Sequence, residues 1–477
     1  MTAIVLSIVL LGLAAATAGA HVRAGHTVRG KTRGATAAVA HRRLEALAAA
    51  GQTTAPARHG GGRHTQGWVG SQLLNPRTDD WEPAVAADPH APYVYMLTTR
   101  FGAGKTCPGN CPTPYIVLTV SSDGGHTWSA QRPLCVCEGA SEQYDPTIEV
   151  VPNTGAVYAA FLNGAGNNPF STVFIKSTDH GQSWSKPVKV YGNVAWTDKD
   201  EVTMDSSGRD VYVSWNGPTN GDLYVGVSHD FGVTWTQHRL THSRRYYYAY
   251  DARTLRDGTV VFAQSSLVYK GNGVTGQVWH HLVVSHDNGA TWSNTVVAKV
   301  PVGQACVAAG CPSDFYIGQA SVAPVQRRHL VFAYEGPNRT GGPQRVYVVR
   351  TNDFGRRWST PMALSVQGED ATGPRLASTG RGGDVRIWYM QTSGHDNPDA
   401  WNVWFRESRN GGRSWSAPVR LDDAPPGAAG YVYAHGFGEI YGDYGEAAVT
   451  STGKTIAVWG EAYSYNGPGG TWFNLQR

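Results

Sequence analysis

The chain has 477 residues, with 40 Lys and Arg against 36 Asp and Glu, for a formal net charge of +4. Residues 21–64 hold eight of the basic residues and one acidic residue, Glu45, so that stretch carries +7 and the remainder −3; no nucleic-acid surface is expected. With 58 Gly, 26 Pro and 16% charged residues, the composition disfavours long solvated helices and favours a turn-rich β-protein.

Residues 1–20 form an apolar run ending in Ala18-Gly19-Ala20, the pattern of a secretory signal peptide cleaved near Ala20. No later segment is long and apolar enough to span a membrane, so a secreted, extracellular protein is expected. Residues 21–64 are rich in Arg, Ala, Gly and His and read as a basic low-complexity linker, expected to be disordered. Residues 65–477 turn to short alternating strands rich in Val, Tyr, Trp and Thr, the pattern of a single all-β domain.

Within that domain one octet recurs. Ser121-Ser122-Asp123-Gly124-Gly125-His126-Thr127-Trp128 has copies starting at Ser177, Ser228 and Ser285, and looser ones at Thr351 and Ser408. The pattern S-x-D-x-G-x-T/S-W has the chemistry of a turn: Asp and Ser oxygens accept nearby backbone N–H groups, Gly supplies positive φ, and the Trp is expected to bury itself over the hairpin. Five Asp and one Asn in nearly identical places do not make one asymmetric active site, so the box Asp residues read as structural. A second unit precedes each box and reads as two inner strands. It starts near Glu82, Asp145, Glu201, Asp251, Gln319 and Pro374, and a seventh copy begins at Glu446 with no box after it. The first and last boxes lie 287 residues apart over five intervals, about 57 per repeat, so the domain fits roughly seven. Four-stranded antiparallel blades of a seven-bladed β-propeller are expected, with the segment 68–73 supplying the missing outer strand of the last blade; six blades are the alternative.

The octet resembles the Asp-box, or BNR, repeat of the sialidase superfamily. That resemblance implies a propeller and an active site on the channel mouth with an arginine cluster, a Tyr nucleophile backed by Glu, and an Asp acid/base. Tyr444 stands where the family's Tyr would be, with Glu201 as its partner, Asp145 as the acid, and Arg253 and Arg375 as two of the arginines. The first inner strand carries Glu82-Pro83 instead of the family's Phe-Arg-Ile-Pro-like motif, which leaves Arg100 as the candidate for the remaining arginine.

The six cysteines fall as Cys107-x3-Cys111, Cys135-x-Cys137 and Cys306-x4-Cys311. After a signal peptide they read as disulfides; a zinc site would need other spacings. Cys107 and Cys111 are expected to bridge to Cys135 and Cys137, and Cys306 to Cys311, with the pairings inside the first blade left open. All six lie on or just beneath the face where the inner strands begin, together with the long loops. Aligning the units places Glu82, Asp145 and Asp251 in one column and Glu201, Arg253 and Arg375 two places on, with Asp200, Asp443, Tyr444 and Glu446 near the same rim. Trp196, Arg245 and Tyr247 are on adjoining loops. Carboxylates, arginines and rings around one mouth suit a sugar. The expected function is an exo-α-sialidase or another glycosidase using two channel carboxylates; the alternative is a non-catalytic propeller binding glycan or protein there. No cofactor or metal is called for, the partner is a glycan or glycoconjugate, and a monomer is expected.

Overall fold

Strands such as Val94–Phe101 and Val385–Thr392 are buried at all eight of their positions. A sheet made of such strands must be covered on both faces. The computed structural model meets that demand radially. It describes residues 67–101, 111–135, 137, 139–164, 170–194, 197–217, 221–270, 273–303, 318–392, 401–422, 444–462 and 469–477. These residues form seven four-stranded antiparallel sheets, the blades of a seven-bladed β-propeller, plus a short antiparallel pair of Tyr269–Lys270 with Gly273–Val274. Six blades are thereby excluded.

The inner strands are Asp79–Ala87, Glu142–Val150, Asp198–Met204, Tyr246–Thr254, Ala320–Gln326, Ala371–Ala377 and Glu446–Val449. Adjacent blades bury separate apolar clusters between them. Leu97 and Phe161 meet between blades 1 and 2, Trp388 and Trp459 between 6 and 7, and Val94, Val458 and Phe473 between 7 and 1. Stability therefore resides in the contacts between blades.

Blade 7 is completed from the other end of the chain. Gln72–Leu73 pairs with Gly469–Leu475, Gln72 opposite Phe473 and Leu73 opposite Trp472. Val69 N–H donates to Leu475 O and Leu74 N–H to Thr471 O, both at 2.9 Å, and Arg477 N–H reaches Gly67 O at 2.8 Å.

The first four boxes are hydrogen-bonded alike, and the last two keep the same backbone bonds. Ser121 Oγ donates to Asp123 Oδ1 (2.7 Å) and accepts Gly125 N–H (2.8 Å), while Asp123 accepts Thr127 N–H (2.8 Å) and Thr127 Oγ1–H (2.5 Å). Asn410 does the work of Asp in the last copy, accepting Ser414 N–H at 3.0 Å. The central Gly has φ near +78° at Gly232, where a Cβ would also fall within 2.2 Å of Phe174 in the preceding blade. Glycine is required there twice over. Each box thus closes its own hairpin and leans on its neighbour.

The box tryptophans are half-buried, less covered than the sequence suggests. Trp235 meets Phe174 edge-on at 5.4 Å and donates its indole N–H to Gly232 O at 3.1 Å. Trp235→Ala is therefore expected to cost about 2–3 kcal/mol, below the ~3–5 of a fully buried ring. Equilibrium denaturation checks this, and an unchanged midpoint would show that the ring fastens nothing.

One expected disulfide pattern is wrong. Cys135 and Cys137 are bonded to each other, not across to Cys107 and Cys111. Their Cα separation of 5.2 Å is within reach of a disulfide. Cys111 is also disulfide-bonded, whereas Cys107, Cys306 and Cys311 lie outside the described residues.

Candidate functional site

Five inner strands carry a one-residue bulge near their start. In blade 1 the pairing steps from Trp81 opposite Thr99 to Ala84 opposite Leu97, and blades 2, 3, 4 and 6 repeat the slip before Thr147, Glu201, Asp251 and Arg375. The bulged residues Glu82, Asp145 and Lys199 have positive φ, as does Gly373 in blade 6. A bulge re-aims the side chains beside it. Just past it, Ala84, Thr147, Glu201, Asp251, Ser321, Arg375 and Glu446 occupy equivalent places, one per blade.

That register corrects the sequence alignment in blade 4. Asp251 belongs with Glu201, Arg375 and Glu446, and Arg253 lies one layer deeper, level with Glu149. Lys199, which the sequence reading passed over, shares the column of Glu82 and Asp145.

Several of these carboxylates join blades together. Glu82 accepts the N–H of Asp145 at 3.1 Å, Asp251 that of Val322 at 2.9 Å, and Glu335 that of Gly373 at 2.9 Å. The arginines are engaged as well. Arg375 gives its N–H groups to the carbonyls of Gly445, Ala320 and Pro374 and to Gln319 Oε1. Arg253 pairs with Asp251 (2.7 Å), Glu149 (3.1 Å) and Glu446 (3.6 Å).

Asp145, Thr147, Lys199, Asp200, Glu201, Tyr250, Arg375, Tyr444 and Glu446 line one cavity at the channel mouth. The room left among them is that of roughly one water molecule. Lys199 Nζ sits 3.7 Å from Asp145 Oδ1 and 4.6 Å from the centre of the Tyr444 ring, a cation–π contact.

Six carboxyls (Asp145, Glu149, Asp200, Glu201, Asp251, Glu446) share this end of the channel with three cations, Lys199, Arg253 and Arg375. Burial, then Asp145 and Glu201, holds Asp200 well above the usual carboxylate range. Neither of its oxygens has a hydrogen-bond partner among the described residues. Burial, then Glu446 and Asp251, does the same to Glu201. Burial lifts Glu446 to about 7 against the pull of Arg253. Glu446 keeps 20% of its side chain exposed, so it can exchange its proton with water.

Other candidates have different surroundings. Arg100 is locked inside blade 1 by Asp80 at 2.6 Å and Gln131 at 2.6 Å, so it does not supply a mouth arginine. Arg245 braces a loop through Ser266 Oγ and the carbonyls of Ser266 and Gln277, and stacks on Trp279 at 4.2 Å. Tyr247 is buried between blades 3 and 4. Trp196 and Asp443 lie outside the described residues. Among the described residues no group of three or more His, Cys, Asp or Glu is placed to hold a metal, and no helix is long and apolar enough to cross a membrane.

The buried acids also predict a pH-dependent stability. Glu335, fully buried, is lifted by burial to about 8. Between about pH 4.5 and 8 the folded chain keeps a proton there that the unfolded chain releases, so stability falls as pH rises through that window. The box residues Asp123 and Asp179 are held near 2, chiefly by hydrogen bonds to Thr127 and Ser183, and act oppositely: their contribution is lost as pH drops below the usual carboxylate range. Glu335→Gln is therefore expected to flatten the decline between pH 5 and 8 by on the order of 3–5 kcal/mol. Denaturant midpoints at both pH values test this, and equal slopes in the two proteins would refute it.

No described protein family matches the sequence, and no curated protein does. Solved structures match in fold. A protein of unknown function from Dyadobacter fermentans is 14% identical over 86% of this chain and 98% of its own, with a TM-score of 0.50. An ulvan lyase, a polysaccharide lyase, is 12% identical over 86% of this chain and 95% of its own, with a TM-score of 0.52. A Hadza microbial sialidase is 16% identical over 77% and 74%, with a TM-score of 0.45. At such identities the likeness is one of fold.

Proposed function

We propose that the channel mouth is a carbohydrate site with glycoside-hydrolase chemistry, centred on Glu201 and Glu446. The observation that carries this reading is that these two carboxyls line one cavity, where burial raises the proton affinity of both and Glu446 raises that of Glu201 further. Such a pair holds one acid and one base at neutral pH, the requirement for splitting a glycosidic bond. Glu201 is the acid. Glu446, beside Arg253 and reachable by water, is the base. The water-sized cavity suits the attacking water, and the sugar would rest above it against Tyr444, Lys199 and Tyr250. The propeller fold shared with carbohydrate-active proteins agrees with a glycan substrate. Export to an oxidising compartment is part of the proposal, supported by the Cys135–Cys137 bond.

A sialidase-type mechanism is the second reading, favoured by Tyr444 lining the same cavity as Glu201 and Arg375. It requires arginine N–H groups for the sugar's carboxylate, and those of Arg375 are already given to backbone carbonyls. The two separate on a panel of aryl glycosides. Turnover of neutral or uronic glycosides that survives Tyr444→Phe supports the carboxyl pair; turnover of sialosides abolished by Tyr444→Phe supports the sialidase reading. Glycan binding without turnover would make the protein a lectin, and neither binding nor turnover would overturn a carbohydrate function.

A further inference from the structure

The opposite end of the propeller has a groove of its own. It lies between blades 5 and 6 on the face that carries the boxes, and its volume is about 440 Å³, within the ~300–1,000 Å³ range of ligand sites. The inner strand Ala320–Gln326 runs from the channel mouth to this groove, a distance of ~20 Å at 3.3 Å per residue. Arg350, Arg357, Arg409, Arg413 and His329 line it, and no carboxylate does. Among the described residues Arg350, Arg357 and Arg413 enter no close salt bridge, Arg357 acting only through space on Asp353 of its own box, and Arg409 meets Glu407 at 3.3 Å.

Three of these arginines, Arg357, Arg409 and Arg413, are departures from the repeat. At the position of Arg357 the other five boxes have Thr or Ser, whose hydroxyl closes the turn onto the Asp or Asn side chain. At the position of Arg413 the first four boxes have His126, Gln182, Val233 and Ala290, and at that of Arg409 they have Ser122, Thr178, His229 and His286. The sixth box also replaces the shared Asp with Asn410, removing a negative charge from the groove wall. Box 5 thus gives up a turn-closing hydroxyl, and box 6 a carboxylate, at the place where four guanidinium groups converge. Turn formation asks for neither change.

We propose that this groove binds a linear polyanionic glycan, gripping its sulfate or carboxylate groups with the planar forks of Arg350, Arg357, Arg409 and Arg413. Guanidinium groups match both anions through paired N–H donors. A single-stranded nucleic acid would need successive exposed rings to stack upon. The groove offers one half-buried indole, Trp358. A duplex would need a broad basic surface, whereas the chain beyond residue 64 is net negative. The inference is independent of catalysis at the mouth.

The test restores the repeat. Arg357→Thr, Arg409→Ser and Arg413→Gln install residues found in other boxes of this chain, so the fold is expected to melt as before or higher. Both proteins are compared as full chains in which the eight Arg and Lys of 21–64 are changed to Ser, removing that second source of positive charge. A fluorescent heparin hexasaccharide is the probe, titrated at several salt concentrations. The expected result is binding that weakens steeply with salt, and a loss of about tenfold or more in the triple variant with a shallower salt slope. Equal affinity in the two proteins would overturn the proposal. So would a neutral dextran oligosaccharide or an oligothymidylate binding as tightly as the sulfated probe.

Discussion

Glu446→Gln is expected to lower glycoside turnover by about 10²–10⁴-fold while leaving substrate binding within a few-fold. The amide keeps the size of the side chain but cannot take a proton from water. In the parent protein, kcat/KM should climb as pH rises through about 7, where Glu446 ionises, and fall at higher pH as Glu201 loses its proton. The variant should lose the lower limb. Glu201→Gln should instead remove the upper limb, with its greatest effect on substrates whose leaving groups need protonation. Full turnover in both variants would place the chemistry elsewhere.

Removing residues 67–75 is expected to have the largest effect on stability. Trp68 is fully buried against Phe405, with ring centres 4.9 Å apart, and belongs to the cluster of Trp388, Trp459 and Trp472. Its loss alone is worth about 3–5 kcal/mol. The deletion also strips the strand Gly469–Leu475 of its partner, leaving an open edge able to pair with another chain. Against a total stability of roughly 5–15 kcal/mol, the truncated chain should melt well below the parent or self-associate. Trp68→Ala, which keeps the backbone pairing, should give an intermediate loss. A truncated chain that melts with the parent and stays monomeric would show that the ring does not depend on this closure.

Much of the architecture was legible because each repeat states its own turn chemistry. The octet announced the box hairpin, its spacing favoured seven blades over six, and the boxless seventh unit pointed to the strand near residue 70. The mouth was less legible. A bulge adds one residue without leaving any mark in composition, so the blade 4 strand was aligned two places out and Asp251 was separated from Glu201. Arg375 was correctly set on the rim, but its hydrogen bonds go to carbonyls, which no side-chain pattern announces. Lys199 was passed over because Asp-Lys-Asp lacks the proline that marks the bulge at Glu82-Pro83 and Asp145-Pro146. The Cys135–Cys137 bond depends on local backbone direction, which cysteine spacing does not encode.

The bulges also bear on how such a chain diversifies. Each is a local slip confined to the start of one strand, and pairing resumes in register within a residue or two. The blade is therefore insulated from whatever side chain the slip presents. Glutamate, aspartate, lysine and glycine already occupy the equivalent place in four blades without disturbing the ring around them. The mouth behaves as a ring of sockets on a fixed wheel, in which a change in one blade is answered at its neighbour, as Glu82 is by Asp145 and Asp145 by Lys199, while the fold is inherited intact.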